Sequence, residues 1–270
     1  MQQVLICSEL QDIPETMLWA LHERAIEAMR DGTHFRDAAC VKIYKSLAYD
    51  FVGKFGESTG LAAARAKRID DALRRWLVRH PAGIVVSLGE GLETQVWRVD
   101  NGRMRWLSVD LPEAIRMRER FLQPTERFRH LAMSAFDPAW MGEVDDRSGV
   151  MVVAQGLLMY FEPALVRELF VRIATTFPGG QMIFDLVPSW VSEANRTGHR
   201  VTSAYTSPSM PWGLDRSDVA STLRSWRPEL KWVRCSSNRA GSARPELVEK
   251  LFDAIRARGR KLPSIAHVAF

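Results

Sequence analysis

Cysteine is scarce in this 270-residue chain, with only Cys7, Cys40 and Cys235 present. An odd number with no shared metal-ligand spacing argues against a disulfide framework and against a structural zinc site. Each cysteine fits a small buried hydrophobe, and a reducing cytoplasm is the expected compartment. Long hydrophobic runs are absent too. The longest, 150–161, is broken by Gln155 and is too short to span a bilayer, so no membrane partner is expected. The opening MQQVLICSEL lacks the basic segment and long apolar core of a signal peptide. There is no internal repeat and no low-complexity linker. Neither charge sign dominates: 37 basic residues stand against 32 acidic, a net +5. The densest arginine stretches, 65–68, 116–120 and 256–261, have apolar or acidic neighbours and read as solvated helix faces. A nucleic-acid partner needs basic residues gathered on one face, and none is expected here.

What is present is globular: 46% hydrophobic and 26% charged residues, at a length suited to a single α/β domain. The N-terminal third is helical in pattern. Met17, Leu18, Leu21, Ala25 and Met29 recur between Pro14 and Gly32. Two more helical patterns cover 37–51 and 61–79, the second stopping before Pro81. From residue 84 strands and helices alternate. Strands are expected at 84–88, 105–109, 128–133, 150–154 and 181–187, with helices from Leu92, over 113–122 and over 164–176. This order predicts an α/β fold with a mostly parallel sheet, helices on both faces and the wholly apolar fourth strand central. The segment 188–214 carries Trp190, Tyr205 and Trp212 and is too long for an ordinary connection, which suggests a lid. A helix near 217–226, a strand near 231–235, a helix near 245–258 and a strand at 265–270 bring the strands to seven. The domain thus divides into a helical N-terminal region (1–80), a core (81–187), a lid insertion (188–230) and C-terminal strands and helix (231–270).

The chemistry concentrates at strand ends. In IVVSLGEGLETQVWR, residues 84–98, a strand ends in Gly89-Glu90-Gly91 and a helix follows. Glycines let the backbone pass close to a ligand, and a helix start offers free N–H groups. A dinucleotide fingerprint needs a third glycine where Thr94 stands, and Glu90 is poorly placed for a pyrophosphate. A cofactor without phosphates therefore fits better than NAD; a plain tight turn is the competing explanation. Asp110, nineteen residues after Gly91 and directly after the second strand, can accept hydrogen bonds from both ribose hydroxyls of a nucleoside. Its competing role is a helix N-cap before Pro112. After the third strand, Phe136 can pack on an adenine while Ser134 or Asp137 takes its amino group. Gln155 and Gly156 follow the fourth strand beside the reacting centre.

These segments carry a family resemblance. YDF at 49–51, ARAKRIDD at 64–71, VVSLGEGLETQVWR, WLSVDLPEAIRMRERFL, SAFDPAW at 134–140, AQGLLMYF at 154–161 and PSMPWGLD at 208–215 are jointly specific. From about Asp37 onward the chain resembles the leucine carboxyl methyltransferase superfamily of class I S-adenosylmethionine (SAM) methyltransferases, in its bacterial polyketide-type O-methyltransferase branch. The resemblance implies a seven-stranded Rossmann-like sheet, SAM as cofactor with S-adenosylhomocysteine (SAH) as product, and a small-molecule acceptor. It implies that Arg65 pairs with the SAM carboxylate and that Gly89 and Gly91, with Glu90 between them, lie under the methionine portion. Asp110, followed by Leu111, is implied at the ribose. Ser134, Ala135 and Phe136 are implied at the adenine. Gln155, Gly156 and Leu157 are implied beside the amino group and methyl, and Tyr160 near the acceptor as a positioning group. Two departures stand out. The family usually has an acid where this chain has Gln155, and Glu90 is a candidate to compensate. The family's DPKA-like segment reads Asp37-Ala38-Ala39-Cys40 here, so its lysine is missing, with Lys42 or Lys45 as substitutes.

Methyl transfer from a sulfonium is an in-line displacement. A carboxylate acceptor is already ionised at pH 7, whereas a phenol of pKa ~10 gains from a base. His34 and His199 are the candidate bases; His22, His80, His130 and His267 fall on expected element surfaces. No acidic cluster suggests a magnesium site, so no metal is expected. The scarcity of bases favours a carboxyl acceptor, with a phenol open. Met159, Tyr160, Tyr205, Met210 and Trp212 are apolar or aromatic enough to line the acceptor pocket. Arg68 or Arg200 could hold an acid group. The alternatives are a catalytically silent SAM-binding module and an NAD-dependent oxidoreductase. Monomer and homodimer are both open.

Overall fold

The computed structural model describes residues 12–237 and 261–270, together with Asp253 and Ile255. Cys7, most of the helix expected over 245–258 and the 256–260 part of the last arginine stretch lie outside the described residues. Four helices come first: α1 (Asp12–Met29), α2 (Ala38–Ser46), α3 (Phe51–Phe55) and α4 (Leu61–Arg79). Then come β1 (Ile84–Leu88), α5 (Gln95–Val99), β2 (Arg105–Asp110), α6 (Pro112–Glu119), β3 (Phe128–Ala132), β4 (Val150–Ala154), α7 (Pro163–Thr176) and β5 (Gln181–Leu186). The chain continues with α8 (Ser189–Ala194), β6 (His199–Arg200), β7 (Thr206–Ser207), α9 (Val219–Trp226), β8 (Trp232–Ser237) and β9 (Ser264–Ala269). The main sheet has seven strands in the order β3-β2-β1-β4-β5-β9-β8, as the sequence predicts in number. Strands β1 to β5 pair in parallel, and β9 runs antiparallel to both β5 and β8. Strand order reverses between β1 and β4, so a crevice opens beyond their carboxyl ends, where open α/β sheets bind ligands.

Period-two alternation divides the core. Along β1 and β4, Ile84, Val86, Val150 and Val152 pack with Phe170 and Ile173 of α7. Val85, Met151 and Val153 pack with Ile69, Leu73 and Trp76 of α4 on the other face. Both strands are buried along their whole length, which is why they read as continuous apolar runs. A third cluster holds the N-terminal helices together. Met17, Leu18, Leu21 and Ala25 of α1 pack with Cys40 and Ile43 of α2 and with Phe51 and Phe55 of α3. Burial pushes the Cys40 thiol up to about 12, as suits a small core hydrophobe. Met29, on the same expected stripe, is exposed.

Several boundaries differ from the pattern, each with a local cause. The single helix expected over 37–51 is two, because Leu47 is extended and Asp50 starts a new cap by accepting from Gly53 N at 2.8 Å. The helix expected from Leu92 starts at Gln95, since the chain first turns through Glu93 N to Glu90 O. Arg118, in one of the arginine stretches, is not solvated but 1% exposed. The insertion expected to be a lid is tied down: Trp212 N donates to Met159 O, Leu214 N to Val187 O, and Thr202 Oγ1 to Lys54 O of α3. Among the described residues no helix is long and apolar enough to cross a membrane.

Of the histidines expected on surfaces, His22 is interior and His267 half-buried. His22 is 1% exposed and bonds Tyr44 Oη and Gly56 O. His267, on β9, bonds Gln181 Oε1 at 2.9 Å against the edge of Trp232. Burial, reinforced by Arg234, Arg75 and Arg79, pushes His267 down to about 4. The folded state therefore refuses a proton that the unfolded chain takes near pH 6.5. That stability is fully present above pH 6.5 and is lost as the pH falls toward 4, by up to about 3 kcal/mol. Urea titrations of His267→Gln are expected to show a flatter decline over this window than the parent protein; parallel declines would count against it.

Candidate active site

The turn after β1 is built by Gly89 (φ +60°) and Gly91 (φ +52°), both in the left-handed region. A Cβ on Gly89 would sit 2.6 Å from Leu157 Cδ1, and one on Gly91 would sit 2.7 Å from Met17 Cβ. The turn thus brings the β4 loop and α1 against its backbone, an approach only glycine allows. Asp110, at the end of β2, braces it. Its Oδ2 accepts from Gly91 N at 2.7 Å and its Oδ1 from Leu111 N at 2.8 Å. Burial raises its pKa, against the pull of those two N–H groups. The turn lies over a cavity of about 450 Å³ at the carboxyl edge of the sheet.

Every residue that the family resemblance implies for the cofactor lines this one cavity, from Arg65 of α4 to Leu157 after β4. Phe136 packs on Phe161 with centroids 4.4 Å apart, which steadies a flat apolar wall after β3. Of the acceptor group, Met159, Tyr160 and Met210 also line it. Two corrections apply to that group. Trp212 is a core side chain, packed between Phe184 and Trp226. Tyr205 is buried against the N-terminal helices between Trp19 and Phe55, outside the cavity wall. Asp137 caps a 3-10 turn by accepting from Ala139 N and does not line the cavity. His34, His199, Lys42, Lys45 and Arg200 are exposed, and neither they nor Arg68 line the cavity.

The polar side chains sort into three groups. Arg65 Nη1 donates to Asp185 Oδ2 at 2.7 Å, and Asp185 Oδ1 accepts from Gly156 N at 2.6 Å. Arg65 Nε is buried with no protein partner. Glu90 turns its carboxylate into the protein, bonding Trp106 Nε1 and Arg118 Nη2. Arg118 also holds the Gly91 and Glu93 carbonyls, fixing the turn. Glu90 therefore does not compensate for the missing acid at position 155. Glu93 is the acid that meets Gln155: Gln155 Nε2 donates to Glu93 Oε2 at 2.9 Å, and Gln155 Oε1 is buried with no protein partner. Burial alone would push Glu93 up, but Arg24 and Arg98 hold it down at about 2. Tyr160 is pushed up to about 12 by burial, despite Arg65.

Sequence patterns had not singled out Glu93 or Asp185. Glu93 stands within the quoted glycine stretch, but its partners are remote in the chain. Asp185 leaves a visible trace, an acid at the end of the apolar strand QMIFDL. The donor and acceptor set suits a nucleoside joined to an amino acid. It offers a carboxylate at the diol position, an apolar wall, a buried amide oxygen for an ammonium and a guanidinium with a donor to spare for a carboxylate. A Cβ at either turn glycine would collide with Leu157 or Met17, side chains that line the same cavity.

A family model for leucine carboxyl methyltransferase matches residues 30–174. The chain is 26% identical over 245 residues to the tetracenomycin polyketide synthesis O-methyltransferase TcmP of Streptomyces glaucescens, covering 89% of each. Among solved structures, it is 14% identical to the N-methyltransferase NodS from Bradyrhizobium japonicum WM9 in complex with SAH. That match has a TM-score of 0.48 over 86% of this chain and 98% of that one. Human N-acetylserotonin methyltransferase with SAM matches at 11% identity and a TM-score of 0.46, over 94% and 67%. With a family model over more than half its length, the chain belongs to the leucine carboxyl methyltransferase family of SAM-dependent O-methyltransferases.

Proposed function

We propose that this methyltransferase acts on the carboxyl group of a small acid and releases an ester. The observation that carries this is the cavity wall: among the described residues it holds no histidine, lysine or cysteine. Its carboxylates are each engaged by donors, and Tyr160 keeps its proton at neutral pH. A site without a free base suits an acceptor that arrives ionised, as a carboxylate does.

SAM supplies a methyl group on a sulfonium, which the acceptor oxygen takes in an in-line displacement. The protein's contribution is to bind, align and keep water out. Asp110 takes the ribose diol, Ala135 and Phe136 the adenine, Gln155 the ammonium and Arg65 the cofactor carboxylate. Gln155 does not silence the site, because its free amide oxygen still accepts a hydrogen bond. Met159, Tyr160 and Met210 form the acceptor wall, with Tyr160 keeping its proton and offering a hydroxyl for hydrogen bonding. The helices between residues 12 and 80 act as a cap and the insertion 188–230 as a lid over the core, and the cytoplasm is the proposed compartment. The relative's role in polyketide synthesis supports an aromatic or polyketide-derived acid as acceptor.

The test is transfer of labelled methyl from SAM to a panel of aromatic and aliphatic carboxylic acids and phenols. Base-labile label on an acid is expected, with kcat/KM nearly flat from pH 6 to 9. Base-stable label on a phenol, with a rate climbing toward pH 10, would overturn the carboxyl assignment and leave the family standing.

A further inference from the structure

Behind the glycine turn lies an ionic network that charge counting shows to be unbalanced. Arg98 Nη1 meets Asp37 at 2.5 Å and Glu93 at 2.7 Å, and its Nε meets Asp70 at 2.7 Å. Arg24 Nη1 meets the other oxygen of Glu93 at 3.0 Å. All five side chains are at most 7% exposed. Three carboxylates thus face two guanidiniums, and one negative charge is left over in a low-dielectric interior, where an unmatched charge is expensive. The network reaches the cavity at Arg24 and Glu93, and Glu93 passes it on to Gln155.

The amide of Gln155 transmits that charge in one direction only. Glu93 is a carboxylate and accepts, so the Gln155 NH2 must face it. The reverse orientation would set oxygen against oxygen. Gln155 Oε1 is therefore the end turned away from Glu93, and it is the buried atom without a protein partner. A hydrogen-bond donor carrying a positive charge satisfies both deficits at once.

We propose that Glu93 is a positioning residue for the cationic amino end of the cofactor: it locks the amide of Gln155 and supplies, one hydrogen bond removed, the charge that the family carries at position 155. This rests on the cofactor placement proposed above. It explains how a neutral residue stands at that position in a working site.

The test compares SAH with its analogue in which the α-amino group is replaced by hydrogen, by calorimetric titration. The parent protein is expected to prefer SAH. Gln155→Met and Glu93→Gln should each cut that preference about tenfold to a hundredfold, the range of one charge-assisted hydrogen bond. The double variant should cut it no further. A Glu93→Gln protein that loses the same factor for both ligands would overturn the proposal, since a purely structural role weakens them alike. If Glu93→Gln fails to fold, Glu93→Asp retains charge for the arginines while drawing it off Gln155. A reduced preference with a melting temperature near the parent's is then expected, and an unchanged preference would overturn the proposal. Failure of the parent to bind SAH would instead sink the cofactor placement, and this inference with it.

Discussion

Asp110→Ala is expected to weaken SAH binding by about two to four orders of magnitude and to leave the protein folded. Each carboxylate oxygen of Asp110 already accepts one backbone N–H, from Gly91 or Leu111, and has a second lone pair to offer. Two ribose hydroxyls bound to a carboxylate contribute about 1.5–3 kcal/mol each, and every 1.4 kcal/mol is tenfold in affinity. The folded state loses much less. Gly91 N and Leu111 N lie at the cavity, where water can replace the carboxylate. Calorimetry should therefore show the affinity loss with a melting temperature lowered by only a few degrees. Affinity within threefold of the parent's would remove Asp110 from the site. A pH series adds a second readout. Burial raises the Asp110 pKa in the ligand-free protein, so its charged form is lost earlier on acidification than in an ordinary aspartate. SAH affinity should decline through that range in the parent and stay flat in Asp110→Ala.

Asp110 was legible because the sheet does the placing. A strand that is buried on both faces reads as an unbroken apolar run, and 84–88 and 150–154 agree with β1 and β4 residue for residue. In a parallel sheet the residue after such a run lies at the ligand edge, so local sequence suffices to put Gly89, Asp110, Ser134 and Gln155 together. What stayed hidden depends on contacts between distant segments. Glu93 is one residue in a quoted motif until Arg24, Asp70 and Arg98 are seen to converge on it or beside it. Tyr205 and Trp212 show the opposite failure. Aromatic residues in a long insertion look alike whether they face a ligand or fill the core, and only packing against Trp19, Phe55, Phe184 and Trp226 decides. The break between α2 and α3 was hidden because apolar spacing continues through Tyr49 and Phe51, while Leu47 turns extended and Asp50 caps a new helix with a single bond.

Arg98→Ala is the substitution with the largest expected effect on stability. It strips one guanidinium from three buried carboxylates on different parts of the chain: Asp37 at the start of α2, Asp70 on α4 and Glu93 in the glycine turn. Removing one partner of such a set leaves uncompensated buried charge and typically costs about 3–5 kcal/mol. Arg98→Lys should not restore it, because a single ammonium cannot span the three carboxylates that the planar fork reaches. The loss should depend on pH with a definite sign. In the parent, Glu93 titrates at about 2, below its ordinary 4.5, so its stabilisation is present above pH 4.5 and is lost as the pH falls toward 2. In Arg98→Ala that depression is diminished and the orphaned carboxylates take up protons more readily. Acid therefore costs the variant less than the parent, and the gap between them narrows on going from pH 7 to pH 4. Urea unfolding at the two pH values measures this directly. A variant within about 1 kcal/mol of the parent at pH 7, or a gap that widens in acid, would mean that the network does not hold the N-terminal helices to the glycine turn. The functional consequence follows from the same geometry. Since Glu93 joins this network to Gln155, a folded Arg98→Ala protein, in which Glu93 loses the guanidinium that fixes one of its oxygens and keeps it ionised, should also bind SAH more weakly, although Arg98 itself does not line the cavity.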